Sequence, residues 1–174
     1  MGAKNRRAIA SQLIVVDADV LRGASSTDGG PPAGARCRRA LQDILTICHR
    51  AVVSPDLENE YNRHASNYGM RWRAAMAHRG KLVPTPATET GRARGWKQSK
   101  HFTTTERAVV DKDLHLVLAA WETKAVVLSG DDRVRGLFAR LPDLADLGWA
   151  RIADDDLYNW LRNGAPADSM ALGE

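Results

Sequence analysis

Acidic residues follow three short apolar runs of this sequence, each rich in β-branched side chains. The runs and the acids that follow them are 13–16 with Asp17, 51–53 with Glu58 and Glu60, and 125–128 with Asp131 and Asp132. Runs of this kind predict buried strands of a parallel sheet, and an acid at the end of such a strand does not belong in the core. The carboxyl ends of parallel strands meet at one edge of the sheet, where α/β proteins bind ligands. We therefore expect these acids to converge.

Four carboxylates at one edge of the sheet would favour the binding of a divalent cation. Like charges close together raise one another's pKa values unless a cation lies between them. Mg²⁺ or Mn²⁺ would relieve the repulsion, polarise a phosphoryl oxygen and lower the pKa of a bound water. The predicted activity is phosphodiester hydrolysis, with metal-binding and catalytic carboxylates at Asp17, Glu60, Asp113 and Asp131.

Each of these acids also has a structural interpretation. Glu60 could be an ordinary acid on a helix surface, with Glu58 as the ligand in its place. Asp113 lies at the expected start of a helix, where the helix dipole favours an acid. Asp131 could cap the helix that follows it and leave the chemistry to Asp132. The sequence alone leaves these alternatives open.

Helical patterns separate the predicted strands. Apolar spacing predicts helices over 36–50, from Ser54-Pro55 to about Arg79 with a bend at Gly69, from 113 to about 121, over 134–141 and over 154–161, and a short last strand over 149–152. Strands that alternate with helices predict one α/β domain over 1–174, a three-layer α/β/α sandwich with a parallel central sheet and a core spanning about 13–161. Residues 1–10 and 165–174 are expected to be flexible, and the turn-rich segment 25–34 to form a rim beside Asp17.

A basic and irregular stretch lies between positions 80 and 105. It carries Arg92, Arg94, Lys97 and Lys100 around Trp96, and cations interleaved with aromatic rings bind single-stranded nucleic acid. The chain has 25 Lys and Arg against 21 Asp and Glu, a net charge of +4, which mildly favours an anionic partner. We expect these four cations to bind RNA, although a solvated loop anchored by one buried Trp explains the pattern equally well.

The cysteines and the apolar runs indicate the compartment. Cys37 and Cys48 are predicted to lie on one helix, eleven residues apart, and their separation of about 16 Å is too large for a disulfide. Two buried, reduced thiols favour a cytoplasmic protein. The apolar run before Asp17 is too short for a signal-peptide core or a membrane span, so no membrane partner is expected.

Four segments carry the candidate acids in a fixed order. They are Leu-Ile-Val-Val-Asp17-Ala-Asp19-Val-Leu, Ser54-Pro-Asp-Leu-Glu-Asn-Glu60-Tyr, Lys112-Asp113-Leu-His-Leu-Val-Leu-Ala-Ala and Val-Val-Leu-Ser129-Gly-Asp131. Over about 13–161, this order and spacing resemble the PIN-domain nucleases, in particular the bacterial toxin ribonucleases of toxin–antitoxin systems. The resemblance implies an endoribonuclease that depends on Mg²⁺ or Mn²⁺, with an antitoxin protein as partner and a homodimer as a common assembly.

The same resemblance assigns a role to each residue. Asp17 and Asp113 would be direct metal ligands, and Glu60 would hold the metal or a bound water. Asp131 would complete the acidic cluster, and Ser129 would hydrogen-bond to it. The chain departs from the family at position 19, where Asn or Ser is common and Asp19 adds a charge. It also doubles Asp131 with Asp132, and its 80–105 stretch is longer than in a minimal member.

Two other classes of function compete with the nuclease. Asp17-Ala-Asp19-Val-Leu is also similar to the first motif of haloacid-dehalogenase-type phosphatases, and Gly130-Asp131-Asp132 to their last. That resemblance implies Asp17 as nucleophile, Asp19 as general acid and Lys112 as the partner of the phosphate charge, and it leaves Glu60 and Asp113 without a role. The third class is a catalytically inactive PIN-like module that binds RNA or a partner protein.

Overall fold

The central sheet has five parallel strands in the part of the chain that the computed structural model describes, residues 11–25 and 32–173. The strand order is β3-β2-β1-β4-β5. The strands are β1 Leu13–Val16, β2 Arg50–Val53, β3 Leu82–Pro84, β4 Val126–Ser129 and β5 Trp149–Arg151. Val15 pairs with Val52 of β2 on one side and with Val127 of β4 on the other, so β1 is the middle strand. The predicted α/β class and parallel sheet are confirmed.

Eight α-helices connect the strands in the described residues. They are α1 Ala18–Gly23, α2 Pro32–Thr46, α3 Pro55–His64, α4 Asn67–His78, α5 Gly91–Lys97, α6 Thr104–Thr123, α7 Asp132–Phe138 and α8 Leu157–Arg162. Two short 3₁₀ helices, Pro142–Leu144 and Ala167–Met170, lie near the carboxyl end. The expected frayed tail therefore contains an ordered turn, and Leu172 within it is buried.

The direction of the connections explains the three layers. The chain moves from β1 to β2 to β3 on one side of the sheet, and α6 then returns it to β4 on the other side of β1. Right-handed crossovers in opposite directions place their helices on opposite faces of a sheet. Accordingly, α2 packs with α4 and α8, whereas α6 packs across β1, β2 and β4 and against α5 and α7. The core lies on both faces of β1, whose Ile14 and Val15 are fully buried.

The single helix predicted from Ser54 to about Arg79 is wrong, because the structure has two. The expected start is confirmed, since the Ser54 side chain caps α3 and Pro55 occupies its first turn. α3 ends at His64, and Ser66 begins α4 by accepting a hydrogen bond from the Gly69 N–H. The Ser66 hydroxyl and N–H both donate to the Leu21 carbonyl, so contact with α1 fixes the break.

The start predicted for the helix around Asp113 is also wrong. α6 begins at Thr104, nine residues earlier, where Thr103 and Glu106 form a reciprocal capping box. Asp113 therefore lies in the third turn of α6, too far from the amino terminus for the helix dipole to explain it. The stretch predicted as irregular contains a strand, β3, and a helix, α5.

The cysteine prediction holds only in part. Cys37 is buried on α2 as expected, but α2 ends at Thr46 and Cys48 is exposed beyond it; both are thiols. No helix in the described ranges combines the length and the apolar character needed to cross a membrane. Residues 1–10 and most of the predicted rim over 25–34 lie outside the described residues.

Candidate active site

The strand order places one crevice at the carboxyl edge of the sheet. The connection after β1 leads to β2 on one side, whereas the connection after β4 leads to β5 on the other side. The order of the strands therefore reverses between β1 and β4. Ligands of open α/β sheets bind at such a switch point, outside the carboxyl ends of the strands. Asp17 directly follows β1 and Ser129 ends β4. The first acid identified in the sequence therefore lies where this fold offers a binding site.

Asp17 is held in one orientation by β4 and by the start of α1. Its Oδ2 accepts a hydrogen bond from the Ser129 hydroxyl at 2.7 Å, and its Oδ1 accepts one from the Asp19 N–H at 3.2 Å. Only 9% of Asp17 is exposed, and this burial raises the pKa of its carboxyl. The Ser129 hydrogen bond opposes that rise, whereas the charge of Glu60 adds to it. The Ser129 contact is the one that the family resemblance implies.

Asp19 is the second acid of this crevice. Its Oδ2 accepts the Gly130 N–H at 3.0 Å, which links the start of α1 to the segment after β4. Its Oδ1 is buried and has no hydrogen-bond partner in the described structure. Burial and then the charge of Asp17 raise the pKa of Asp19 to about 7. A cation or a protonated ligand group would satisfy this oxygen.

Glu60 reaches the site because Tyr61 fixes α3 to β1. The Tyr61 hydroxyl donates to the Val16 carbonyl, and its ring is buried. Glu60 then faces α6, where its Oε2 lies 3.5 Å from Nε2 of His115. Nδ1 of His115 donates to the Lys112 carbonyl at 3.0 Å, which fixes the ring with Nε2 towards Glu60. Sequence reasoning did not select His115, although its position two residues after Asp113 was visible.

Asp113 completes the group from the third turn of α6. Burial raises its pKa to about 6, and the charges of Asp17 and Glu60 add to the rise. Lys112 and His115 oppose it. Three of the four predicted carboxylates, Asp17, Glu60 and Asp113, therefore interact electrostatically although they come from three separate parts of the chain.

Asp131 is placed differently from the other predicted ligands. It is the N-cap of α7, and its Oδ1 accepts the N–H groups of Arg133 at 2.9 Å and Val134 at 3.0 Å. Its own N–H donates to the Ser129 hydroxyl. Asp132, the alternative, lies 3.6 Å from Arg151 in an exposed ion pair. The carboxylate that the structure adds to Asp17 is that of Asp19, and the structural interpretation of Asp131 fits its contacts.

Glu58, the alternative to Glu60, also has another contact. It lies 3.1 Å from a guanidinium nitrogen of Arg73 on α4. Since that ion pair connects α3 with α4, Glu58 contacts a different neighbour from Glu60, which contacts α6.

The four cations predicted to bind RNA differ in their contacts. Lys97 lies between Glu89, at 3.0 Å, and Asp111, so two carboxylates balance its charge. Arg92 lies 5.3 Å from the centre of the Trp121 ring at the far end of α6. Arg94 and Lys100 are exposed. Trp96 is buried and donates to Asp143, so it anchors α5 rather than offering a ring to a base.

The carboxylates of the site are suitable ligands for a hard divalent cation, but they are not close enough together to hold one as they stand. Mg²⁺ and Mn²⁺ bind carboxylate oxygens. Oδ1 of Asp19 is buried without a hydrogen-bond donor among the described residues, so it could accept a contact from a cation. Among residues 11–25 and 32–173, no three His, Cys, Asp or Glu side chains are arranged to ligate one ion. The residue types therefore fit a metal, and side-chain movement would have to bring them together around it.

The fold and site define an α/β protein with interacting acidic side chains at the switch point of a parallel sheet. No protein-family model matches this chain, and searches of the curated proteins and of the solved structures also give no match. The resemblance to the PIN-domain nucleases therefore stays a prediction, and the function has to be argued from the residues themselves.

Proposed function

We propose that this protein is a metal-dependent endoribonuclease whose active site lies at the carboxyl ends of β1 and β4. The observation that carries the proposal is a group of three interacting acids, the buried Asp17 and the partly buried Asp19 and Asp113, in which loss of contact with water raises every pKa. Burying interacting acids costs stability unless positive charge is supplied. A divalent ion would supply that positive charge, and cleavage of an RNA phosphodiester is the function that would justify the cost in stability.

The side chains would divide the work as follows. Asp17, Asp113 and Glu60 would hold Mg²⁺ or Mn²⁺, with Asp19 beside them. The ion would polarise a phosphoryl oxygen and lower the pKa of the attacking water. Ser129 orients Asp17 through its 2.7 Å hydrogen bond. Glu60 Oε2, beside His115 Nε2, would accept the proton of the attacking water.

The biological role follows from the resemblance alone. A toxin of a toxin–antitoxin pair would act in the cytoplasm, which agrees with two thiols and no disulfide. An antitoxin protein would be its partner, and a homodimer its assembly. A small protein encoded immediately upstream that co-purifies with this chain would support that role.

Cleavage of RNA by the purified protein tests the activity. We expect it to cut single-stranded RNA with Mg²⁺ or Mn²⁺ and to stop when EDTA is added. Asp17→Asn and Asp113→Asn should each lower the rate by about 10²- to 10⁴-fold, because each removes a charge from the site. Asp146→Asn, at an exposed acid elsewhere, is the matched control and should cut normally.

The outcomes separate the classes of function. Equal cleavage by both site variants and the wild type would exclude this site. RNA binding without cleavage of any substrate, while a known nuclease cuts alongside, would instead identify an inactive binding module.

A phosphatase is the second candidate, and one observation favours it. Burial raises the pKa of Asp19 to about 7, which suits a general acid near neutral pH. Against it, that mechanism gives no role to Glu60 and Asp113, although both interact electrostatically with Asp17. An aspartyl-phosphate or fluoroberyllate adduct on Asp17 would establish the phosphatase and exclude the nuclease mechanism.

A further inference from the structure

A cleft between α3 and α6 leads to the candidate active site. Its volume is about 360 Å³, and Glu60 and His115 lie in its wall. From α3 it is lined by side chains three, one and three residues apart, which is one face of the helix; Arg63 is the last of them. From α6 it is lined by residues on either side of Asp113, including Lys112.

Two cations of this cleft are available to a ligand. Arg63 and Lys112 are both exposed, and neither has an ion-pair partner within the described ranges. The third cation, Lys97, is already balanced by Glu89 and Asp111. Arg63 and Lys112 are therefore the cations of this cleft that no ion pair engages among the described residues, and the exposed acid Asp56 lies with them in its wall.

Each of these cations lies beside an acid of the proposed site. Arg63 is three residues, or about one helical turn, after Glu60 on α3. Lys112 directly precedes Asp113, and its charge lowers the pKa of that carboxyl, so the two groups interact. An anionic chain that touched both cations would pass the carboxylates of Glu60 and Asp113.

Three of the four cations that the sequence indicated, Arg92, Arg94 and Lys100, do not line this cleft. Arg92 contacts Trp121, which is eight residues along α6 from Asp113 and so about 12 Å away along the helix axis. Of the cations that the sequence indicated, only Lys97 lines the cleft in the described residues, and its charge is balanced by two carboxylates.

We propose that Arg63 and Lys112 bind phosphates of a single-stranded RNA that lies along the cleft between α3 and α6. The proposal rests on the proposed nuclease function and names the substrate contacts of that same site. The cleft volume of about 360 Å³ is at the small end of ligand pockets, and the single-stranded RNA expected of the proposed nuclease is the occupant that we assign to it. Lysine and arginine contacts to phosphates give affinity without base specificity.

The salt dependence of RNA binding tests this assignment. Binding of a fluorescein-labelled single-stranded RNA is followed by anisotropy in EDTA, so that no cleavage occurs, at about 50 to 200 mM salt. Arg63→Gln and Lys112→Gln should each reduce the slope of log K against log salt by about 0.7, and the double variant by about 1.4. Arg63→Lys and Lys112→Arg keep the charge and should keep the slope.

The matched control is the pair Arg50→Gln and Lys124→Gln, which removes two exposed positive charges near the amino-terminal ends of β2 and β4, outside the cleft. Its slope should equal that of the wild type. An unchanged slope in the Arg63 and Lys112 double variant, an equal change in the control pair, or no RNA affinity in the wild type would overturn the proposal.

Cleavage with Mn²⁺, measured separately, distinguishes this proposal from the function on which it rests. If the wild type cuts RNA but the cleft variants keep their slope, the nuclease stands and the cleft assignment fails. If the slope depends on Arg63 and Lys112 but no substrate is cut, the phosphate contacts stand and the nuclease fails.

Discussion

Replacing Asp113 by Asn should stabilise the metal-free protein, and only above about pH 4. In the folded protein, burial and the charges of Asp17 and Glu60 raise the pKa of Asp113 from 3.8 to about 6. These two values correspond to about 3 kcal/mol at neutral pH, and water at this partly exposed site reduces that figure. We expect Asp113→Asn to gain about 1 to 3 kcal/mol at pH 7.

The sign follows from proton binding. Because the folded pKa exceeds the unfolded one, between about pH 4 and 6 the folded protein binds more protons than the unfolded chain. The contribution of this group to stability is therefore complete below about pH 4 and is lost as the pH rises through 6. The advantage of Asp113→Asn should vanish near pH 4 and reach its maximum above pH 7.

Urea unfolding of both proteins in EDTA between pH 4 and 8 measures this difference. Titrating groups far from Asp113 contribute equally to both proteins, so the difference in the free energy of unfolding reports Asp113 together with its coupling to Asp17 and Glu60. Asp146→Asn, the exposed control, should change it by less than about 0.5 kcal/mol. A variant that is no more stable than the wild type at pH 7, or a difference that does not vary with pH, would refute the cost of burying a charged Asp113 beside Asp17 and Glu60. Mn²⁺ should stabilise the wild type and reduce the advantage of the variant.

Three further variants test the neighbouring contacts. Asp131→Ala should lose about 1 kcal/mol through the missing cap of α7 yet still cleave RNA, as urea unfolding and a cleavage assay can show; loss of cleavage at unchanged stability would restore Asp131 as a ligand. Ser129→Ala should weaken Mn²⁺ binding by about 10- to 100-fold in calorimetry, because Asp17 loses its hydroxyl donor. His49 is fully buried, accepts the Gln12 N–H and donates to the Leu161 carbonyl, and burial lowers its pKa from 6.5. As the pH falls below about 6.5, the His49 side chain takes up a proton in the unfolded chain but not in the folded protein. The stability of the wild type relative to His49→Gln should therefore decrease as the pH falls, and a pH-independent difference would contradict this.

The position of Asp17 could be predicted from local sequence because the signal is local. Four β-branched or large apolar residues followed by an acid predict a buried strand and a polar edge, and the structure places β1 and Asp17 accordingly. The start of α3 was equally predictable, since Ser54 and Pro55 are preferred at exactly those two helix positions. In these cases the residues that determine the geometry are adjacent in the chain.

The break between α3 and α4 could not be predicted in this way. Ser66 starts α4 because its hydroxyl and N–H reach the carbonyl of Leu21, which is 45 residues earlier. Gly69 is needed for close approach and not for a bend, since a Cβ there would lie 2.8 Å from that same carbonyl oxygen. The capping box at Thr103 and Glu106, in contrast, was readable in the sequence, and it moves Asp113 from the start of a helix to its third turn.

The sequence predicted Asp131 in the acidic cluster, whereas the structure places Asp19 beside Asp17 and Asp131 at the start of α7. This difference has a clear physical cause. After β4 the chain turns directly into α7, and the first acid after that turn caps the helix with its side chain. Ser129 accepts the N–H of Asp131 and donates to Asp17, while the Gly130 N–H reaches Asp19. A Cβ at position 130 would lie 2.8 Å from Oδ2 of Asp19, so glycine admits the carboxylate of Asp19 to this position. The spacing of Asp131 alone could not show this, because the choice between capping and the crevice depends on which neighbour fills the space beside Gly130.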